Sequence, residues 1–191
     1  MKSYRLLLAA VVISMSTVVF AQSDMHKSDG PSATSPAQES FTEMKTLAGT
    51  WQGRVTVDPP QPQWDTKAPT QVTMRVTSRG NALVHEMSEA GKADDPAKYD
   101  HPVTMFYLDN DRLLLTHYCD AGNRPRMAAR TSPDGKTVEF DFLDVAGSTK
   151  FGHMEHAVFN IIDANHHTED WTYLMPGDRP VHAHLDLQRT R

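Results

Sequence analysis

Thr137-Val138-Glu139-Phe140-Asp141-Phe142 is the stretch on which the fold turns. Val138, Phe140 and Phe142 alternate with Thr137, Glu139 and Asp141. A period of two sets one face against a core and the other against water, as a half-buried strand requires. The pattern repeats outward from this point. Upstream, Val72, Met74 and Val76 alternate with Thr73, Arg75 and Thr77, and Leu83, His85 and Met87 with Val84 and Glu86. Val103, Met105 and Tyr107 form one series, and Leu113, Leu115 and His117 another. Downstream, runs near 155–162, 167–174 and 181–189 continue it. With Thr50–Val57 and Pro125–Thr131 the reading reaches about ten short strands.

Turn-forming clusters separate these runs: Arg79-Gly80-Asn81, Asp109-Asn110-Asp111, Pro133-Asp134-Gly135, Asp163-Ala164-Asn165 and Pro176-Gly177-Asp178. Such short links favour neighbouring antiparallel strands. A meander of this size leaves two exposed edges unless it closes on itself. The expected fold is therefore all-β, a closed antiparallel up-and-down barrel of eight to ten strands. Two connections are longer, the proline-rich Asp58 to Pro69 with Trp64 and the charged Ser88 to His101. Each is either a lid at a barrel rim or a tolerated insertion.

Ahead of the strands, Ser40-Phe41-Thr42-Glu43 matches a capping box. It predicts a short helix over 41–47 with Phe41, Met44 and Leu47 on one face, ended by Gly49. A helix this short must pack on something to persist. Residues 22–40 are rich in Ser, Pro, Asp and Gln and are expected to form a disordered spacer. Residues 1–21 read as a secretory signal: Lys2 and Arg5 precede an apolar run from Leu6 to Phe20, and Val19-Phe20-Ala21 closes it. That run is about fifteen residues, short of the roughly 20 that span a bilayer. Stable membrane insertion is not expected after cleavage, and the barrel domain is expected over 41–191, exported to the periplasm or beyond.

The chain carries a formal net charge of −5, more negative once Lys2 and Arg5 leave with the signal. No basic run follows the signal, which argues against nucleic acid or an anionic membrane as partner. A single cysteine allows no internal disulfide, so stability rests on the packed core.

The candidate chemistry centres on Thr116-His117-Tyr118-Cys119 and the following Gly122-Asn123-Arg124-Pro125-Arg126-Met127. Strand alternation puts His117 and Cys119 on one face, with Tyr118 opposite. The pair admits a thiol nucleophile with a histidine base, or a buried cysteine beside a hydrogen-bonded core histidine. No oxyanion loop or third orienting residue accompanies it, and no catalytic residue is assigned. Arg126, Ala128 and Arg130 share a face. Were that face inward, Arg126 would hold a ligand carboxylate; the opposite register puts it in solvent. Glu169 shares a face with His167, Trp171 and Tyr173, and Glu86 with Val84. Inward carboxylates need partners, for which Arg126 and His117 are the candidates. Tyr118 and Trp171 are candidates to stack on a ligand. The expected ligand-binding set is Glu86, His117, Tyr118, Cys119, Arg126, Glu169 and Trp171. Ten histidines raise the question of metal, but no ligand motif is formed, and His182 and His184 lie opposite the apolar Val181, Ala183 and Leu185. No cofactor is implied by the spacing.

Leu47-Ala48-Gly49-Thr50-Trp51-Gln52-Gly53 resembles the opening of lipocalin-like (calycin) barrels. The resemblance implies a short helix leading into a first strand whose tryptophan, here Trp51, closes one barrel end. More narrowly, Thr116 to Met127 and Thr168-Glu169-Asp170-Trp171 resemble the T-H-Y-C-x-x-G-N-x-P-R-M hairpin and T-E-x-W strand of exported bacterial proteins of unknown function. That resemblance spans about 41–191 and implies the fold. Gly49-Thr50-Trp51-Gln52-Gly53 is also similar to the start of nitrobindin-type haem barrels, which would make His182 or His184 a haem ligand; Arg54-Val55 departs from that pattern. Three functions are thus carried forward. The first is an exported barrel binding a small apolar or amphiphilic ligand. The second is a haem or metal protein or enzyme using His117 and Cys119. The third is a cavity-less barrel acting through protein contacts in the cell envelope.

Overall fold

The computed structural model describes residues 34–191 apart from 63, 65–67, 93–94 and 96. The proposed signal and residues 22–33 of the spacer lie outside the described residues. The helix α1 (Pro36–Thr46) is followed by ten strands: β1 (Gly49–Asp58), β2 (Thr70–Thr77), β3 (Ala82–Glu89), β4 (Val103–Asp109) and β5 (Arg112–Tyr118), then β6 (Arg124–Thr131), β7 (Thr137–Ala146), β8 (His153–Asp163), β9 (His166–Met175) and β10 (Arg179–Arg189). Each pairs antiparallel with the next, and β1 pairs with β10 from Trp51↔Arg189 to Asp58↔His182. The expected closed up-and-down barrel is thus present with ten strands. Among the described residues no helix is long and apolar enough to cross a membrane.

The helix starts five residues before the expected position. Ser35 is its N-cap: Gln38 N–H donates to Ser35 Oγ at 3.3 Å, and Ser35 N–H donates to Gln38 Oε1 at 3.0 Å. Pro36 follows at the first helical position, where its missing N–H costs nothing. This reciprocal cap displaces the one expected at Ser40, which sits inside the helix and donates to the Pro36 carbonyl at 2.8 Å. Residues 36–40 therefore belong to the helix and not to a spacer.

Phe41, Met44 and Leu47 bury against the barrel end that holds Trp51. Trp51 is fully buried, and its indole N–H donates to the Leu47 carbonyl at 2.8 Å. The Arg189 guanidinium lies 4.0 Å from the Trp51 ring centroid and donates to the carbonyls of Ala48, Thr46 and Ala164. Helix end, first strand and last strand are thereby tied at one point. Gly53 lies on the same seam: a Cβ there would stand 1.7 Å from the Asp186 carbonyl oxygen, so only glycine lets β1 approach β10 this closely.

Alternation sorts the side chains as expected on most strands. Val138 and Phe140 are buried, while Glu139 and Asp141 face outward beside Arg130. Phe106, Phe140 and Phe159 meet edge-on or tilted, with centroids 5.4 to 6.0 Å apart, and fill the middle of the barrel. On β4 the inward residues are Thr104 and Phe106, and the Val103, Met105 and Tyr107 series is only partly buried.

Candidate functional site

The inner face of β9 runs from the closed end towards the opposite mouth as His167, Glu169, Trp171 and Tyr173. His167 stacks edge-on against Trp51, centroids 4.2 Å apart. Glu169 comes next and is fully buried. An ionised carboxylate there is costly unless its oxygens are satisfied, and three neighbours satisfy them. His85 Nε2 lies 3.1 and 3.0 Å from the two oxygens, His167 Nε2 3.0 Å from Oε1, and the Trp171 indole N–H donates to Oε2 at 2.9 Å. Burial pushes the Glu169 carboxyl up, but the charge on His85 and the hydrogen bonds from His167 and His85 outweigh it and hold the group well below the usual carboxylate range. Because the carboxylate only accepts, each of these imidazoles donates through Nε2.

His117 sits one level nearer the mouth. Its Nδ1 pairs with Thr104 Oγ1 at 2.8 Å across the β4–β5 ladder, and its ring tilts against Trp171 with centroids 5.5 Å apart. Burial, helped by the charge on His85, pushes its pKa down to about 3, so the ring is neutral. Its Nε2 is buried without a hydrogen-bond partner among the described residues, as are Nδ1 of His85 and of His167.

Above this layer the barrel is open. A cavity of about 510 Å³ has His117 and Trp171 among its lining residues. Val55, Val57, Met154, Val181, Ala183 and Leu185 form its apolar wall, and Cys119, Asp120 and the segment from Lys98 to Pro102 border its mouth. These residues come from the C-terminal parts of odd-numbered strands and the N-terminal parts of even-numbered ones. Antiparallel pairing gathers those parts at the end away from Trp51.

Three of the expected site residues, His117, Glu169 and Trp171, are brought together here, and Cys119 lies at the rim. Glu86 is a correction: it points outward on β3, with a carboxylate oxygen 4.0 Å from Arg75 Nε. Tyr118 is a second, 46% exposed on the outer wall, where it cannot stack on a cavity ligand. Arg126 is a third. On β6 Pro125 and Met127 are buried, and Arg126 between them lies outside in a two-pronged pair with Asp144. The arginine clamp for an interior carboxylate is therefore absent. Arg126→Ala is expected to leave the thermal midpoint and any ligand affinity of the cavity nearly unchanged, as paired melts and titrations would show, because exposed ion pairs contribute little. His182 and His184 are exposed on the outer wall, paired with Thr172 and Asp170, and do not enter the barrel.

His85, His167 and Thr104 are the residues that sequence reasoning missed. The signal for His85 was its place between Leu83 and Met87 on an apolar face; the charged neighbour Glu86 was chosen instead. Glu169 is partnered by His85, His167 and Trp171, not by Arg126 or His117. The nucleophile reading of Cys119 lacks support: burial pushes the thiol pKa up, the nearby Asp100 and Asp120 add to this against a backbone hydrogen bond from Ala121, and His117 is engaged with Thr104. Two groups bring three ligating atoms within 4.8 Å of one another among the described residues, Asp100–Cys119–Asp120 at the rim and Glu139–Asp141–His156 on the outer wall. The second already holds Arg130. Among the described residues the interior histidines form no such group.

Fold and site together define a closed ten-stranded β-barrel protein with a buried polar core around Glu169 beneath an open cavity. The structure is similar to the crystal structure of Rv2717c from M. tuberculosis, with a TM-score of 0.58 at 12% identity, over 80% of this chain and 98% of that one. It is also similar, with a TM-score of 0.48 at 10% identity, to a protein of unknown function from the DUF3598 family of Nostoc punctiforme, over 76% of this chain and 48% of the other. At such identities the likeness extends to the fold alone. No family model and no curated protein matches the chain.

Proposed function

We propose that this is an exported, lipocalin-like barrel that binds a small apolar or amphiphilic ligand inside its open end. The observation that carries the reading is the cavity of about 510 Å³, within the roughly 300–1,000 Å³ typical of small-molecule sites. Its wall is apolar, and among its lining residues is the neutral His117, whose buried Nε2 has no partner among the described residues. An unpaired buried polar atom is costly, and a ligand with a matching polar group would satisfy it. Glu169 and Trp171 are already bonded to each other, so the floor's discrimination falls to His117.

Native mass spectrometry of protein purified from its own host tests the reading: a co-purifying small-molecule mass is expected. Ala183→Leu, which fills the cavity from β10, should release that mass while leaving the urea midpoint in place. Protein that carries no mass, and whose tryptophan fluorescence ignores apolar probes, would refute the binding role. An absorption spectrum of the same sample separates a haem or metal occupant from an organic one. N-terminal sequencing that returns Gln22 would support export, and Met1 would count against it.

A further inference from the structure

The rim of the cavity has a chemistry of its own. Asp100, Cys119 and Asp120 each bring one oxygen or sulfur atom within 4.8 Å of the others. The Asp120 backbone N–H donates to Asp100 Oδ1 at 3.1 Å. Among the described residues neither carboxylate forms an ion pair, and the nearby lysines are engaged elsewhere: Lys92 Nζ with Glu89 at 2.5 Å and Lys98 Nζ with Asp95 at 2.9 Å. Burial and the charge of Asp120 push the Asp100 carboxyl up to about 6, against the pull of the Asp120 N–H and of His101.

Aromatic rings border the same opening. Trp64, Tyr99 and Tyr173 line it, with Trp64 and Tyr173 edge-on and centroids 5.7 Å apart. Lys92 Nζ lies 4.3 Å from the centroid of Tyr99, so one of these rings already faces a cation. Carboxylates beside electron-rich ring faces are the combination that recognises ammonium groups. Independently of the rim, His117, among the residues that line this space, keeps a buried Nε2 with no hydrogen-bond partner among the described residues, while its Nδ1 pairs with Thr104.

We propose that the cavity takes an alkylammonium amphiphile, its apolar chain in the barrel and its cationic head between Asp100, Asp120 and the rings of Trp64, Tyr99 and Tyr173. This rests on the cavity-binding reading above and specifies the class of ligand. A cation at the rim relieves the repulsion between the two carboxylates, whereas an anion adds to it.

The test uses the full chain and three probes of equal chain length below their micellar range: decyltrimethylammonium, decanol and decanoate. Binding is followed by the fluorescence of Trp64 and Trp171. Decyltrimethylammonium is expected to bind about tenfold tighter than decanol, and decanoate more weakly than either. Asp100→Asn combined with Asp120→Asn should abolish the preference and leave decanol affinity and the urea midpoint unchanged. The cation preference should fall as pH drops through about 6, where Asp100 gains a proton. His101, Glu89, Lys92 and Lys98 are the other titratable or charged groups of the rim. Asp100→Asn alone isolates the carboxylate's share. Equal affinity for all three probes would overturn the charge assignment while leaving the cavity reading intact. Binding of none would overturn both. Cobalt(II) producing a thiolate charge-transfer band that Cys119→Ser removes would make the rim a metal site and overturn the ammonium assignment.

Discussion

Replacing Glu169 with glutamine is expected to cost about 3–5 kcal/mol, the usual penalty for breaking a buried charge pair from one side. Three donors converge on its carboxylate inside the barrel. Glutamine keeps the shape, but it removes the carboxylate's charge and replaces one acceptor oxygen with an NH₂ that faces N–H groups. The check is urea unfolding of the variant against the parent, with His85→Gln and the double variant completing a cycle. The pair should show a large favourable coupling, since each single variant leaves the other group without its buried hydrogen-bond partner. The acid limb carries the same signature. The folded state holds the Glu169 carboxyl below its unfolded value, so its stabilisation is present above about pH 4.3 and is lost as pH falls below that.

His117 sets a second and separable pH dependence. Its pKa is held at about 3 in the fold against about 6.5 in the unfolded chain. Between those limits the unfolded chain binds the extra proton, so stability rises with pH across that window. The displacement is worth on the order of 5 kcal/mol over the full range. Stability should therefore fall as pH is lowered from about 6.5 towards 4.5, before Glu169 contributes. His117→Gln, which can still bond Thr104 but does not titrate, should flatten that part of the curve. Urea midpoints of parent and variant at pH 7, 6, 5 and 4.5 measure it. Parallel curves for the two would show that His117 is not the source.

The barrel was legible because its strands alternate cleanly and its turns are chemically marked. Val138 and Phe140 face inward, Glu139 faces outward, and the mate of β1 follows from closure. The site was legible only in part, for two physical reasons. The first is parity: in a strand one residue's shift exchanges core for solvent. Charge drew attention to Glu86 and Arg126, whereas the inward positions beside them are His85 and Met127. The second is distance along the chain. Glu169 is hydrogen-bonded by His85, more than eighty residues away, and the mouth joins Asp100 from a long connection to Asp120 beyond β5. Neither juxtaposition has a local pattern. The helix start was misread for a simpler reason, since Ser35-Pro36 and Ser40 both offer caps and only packing chooses between them.

The seam between β1 and β10 has a kinetic consequence. Thr50 meets Thr190 and Arg191, and Trp51 meets Arg189, so β1 pairs with residues made more than a hundred positions later. Until then its outer edge is an unpaired ladder, open to any other strand that arrives. Contacts this far apart along the chain are slow to form because a large loop must close first. Shortening that wait, by joining β10 ahead of α1 and β1 in a circular permutant opened at the Pro133-Asp134-Gly135 turn, should speed folding and reduce self-association during it.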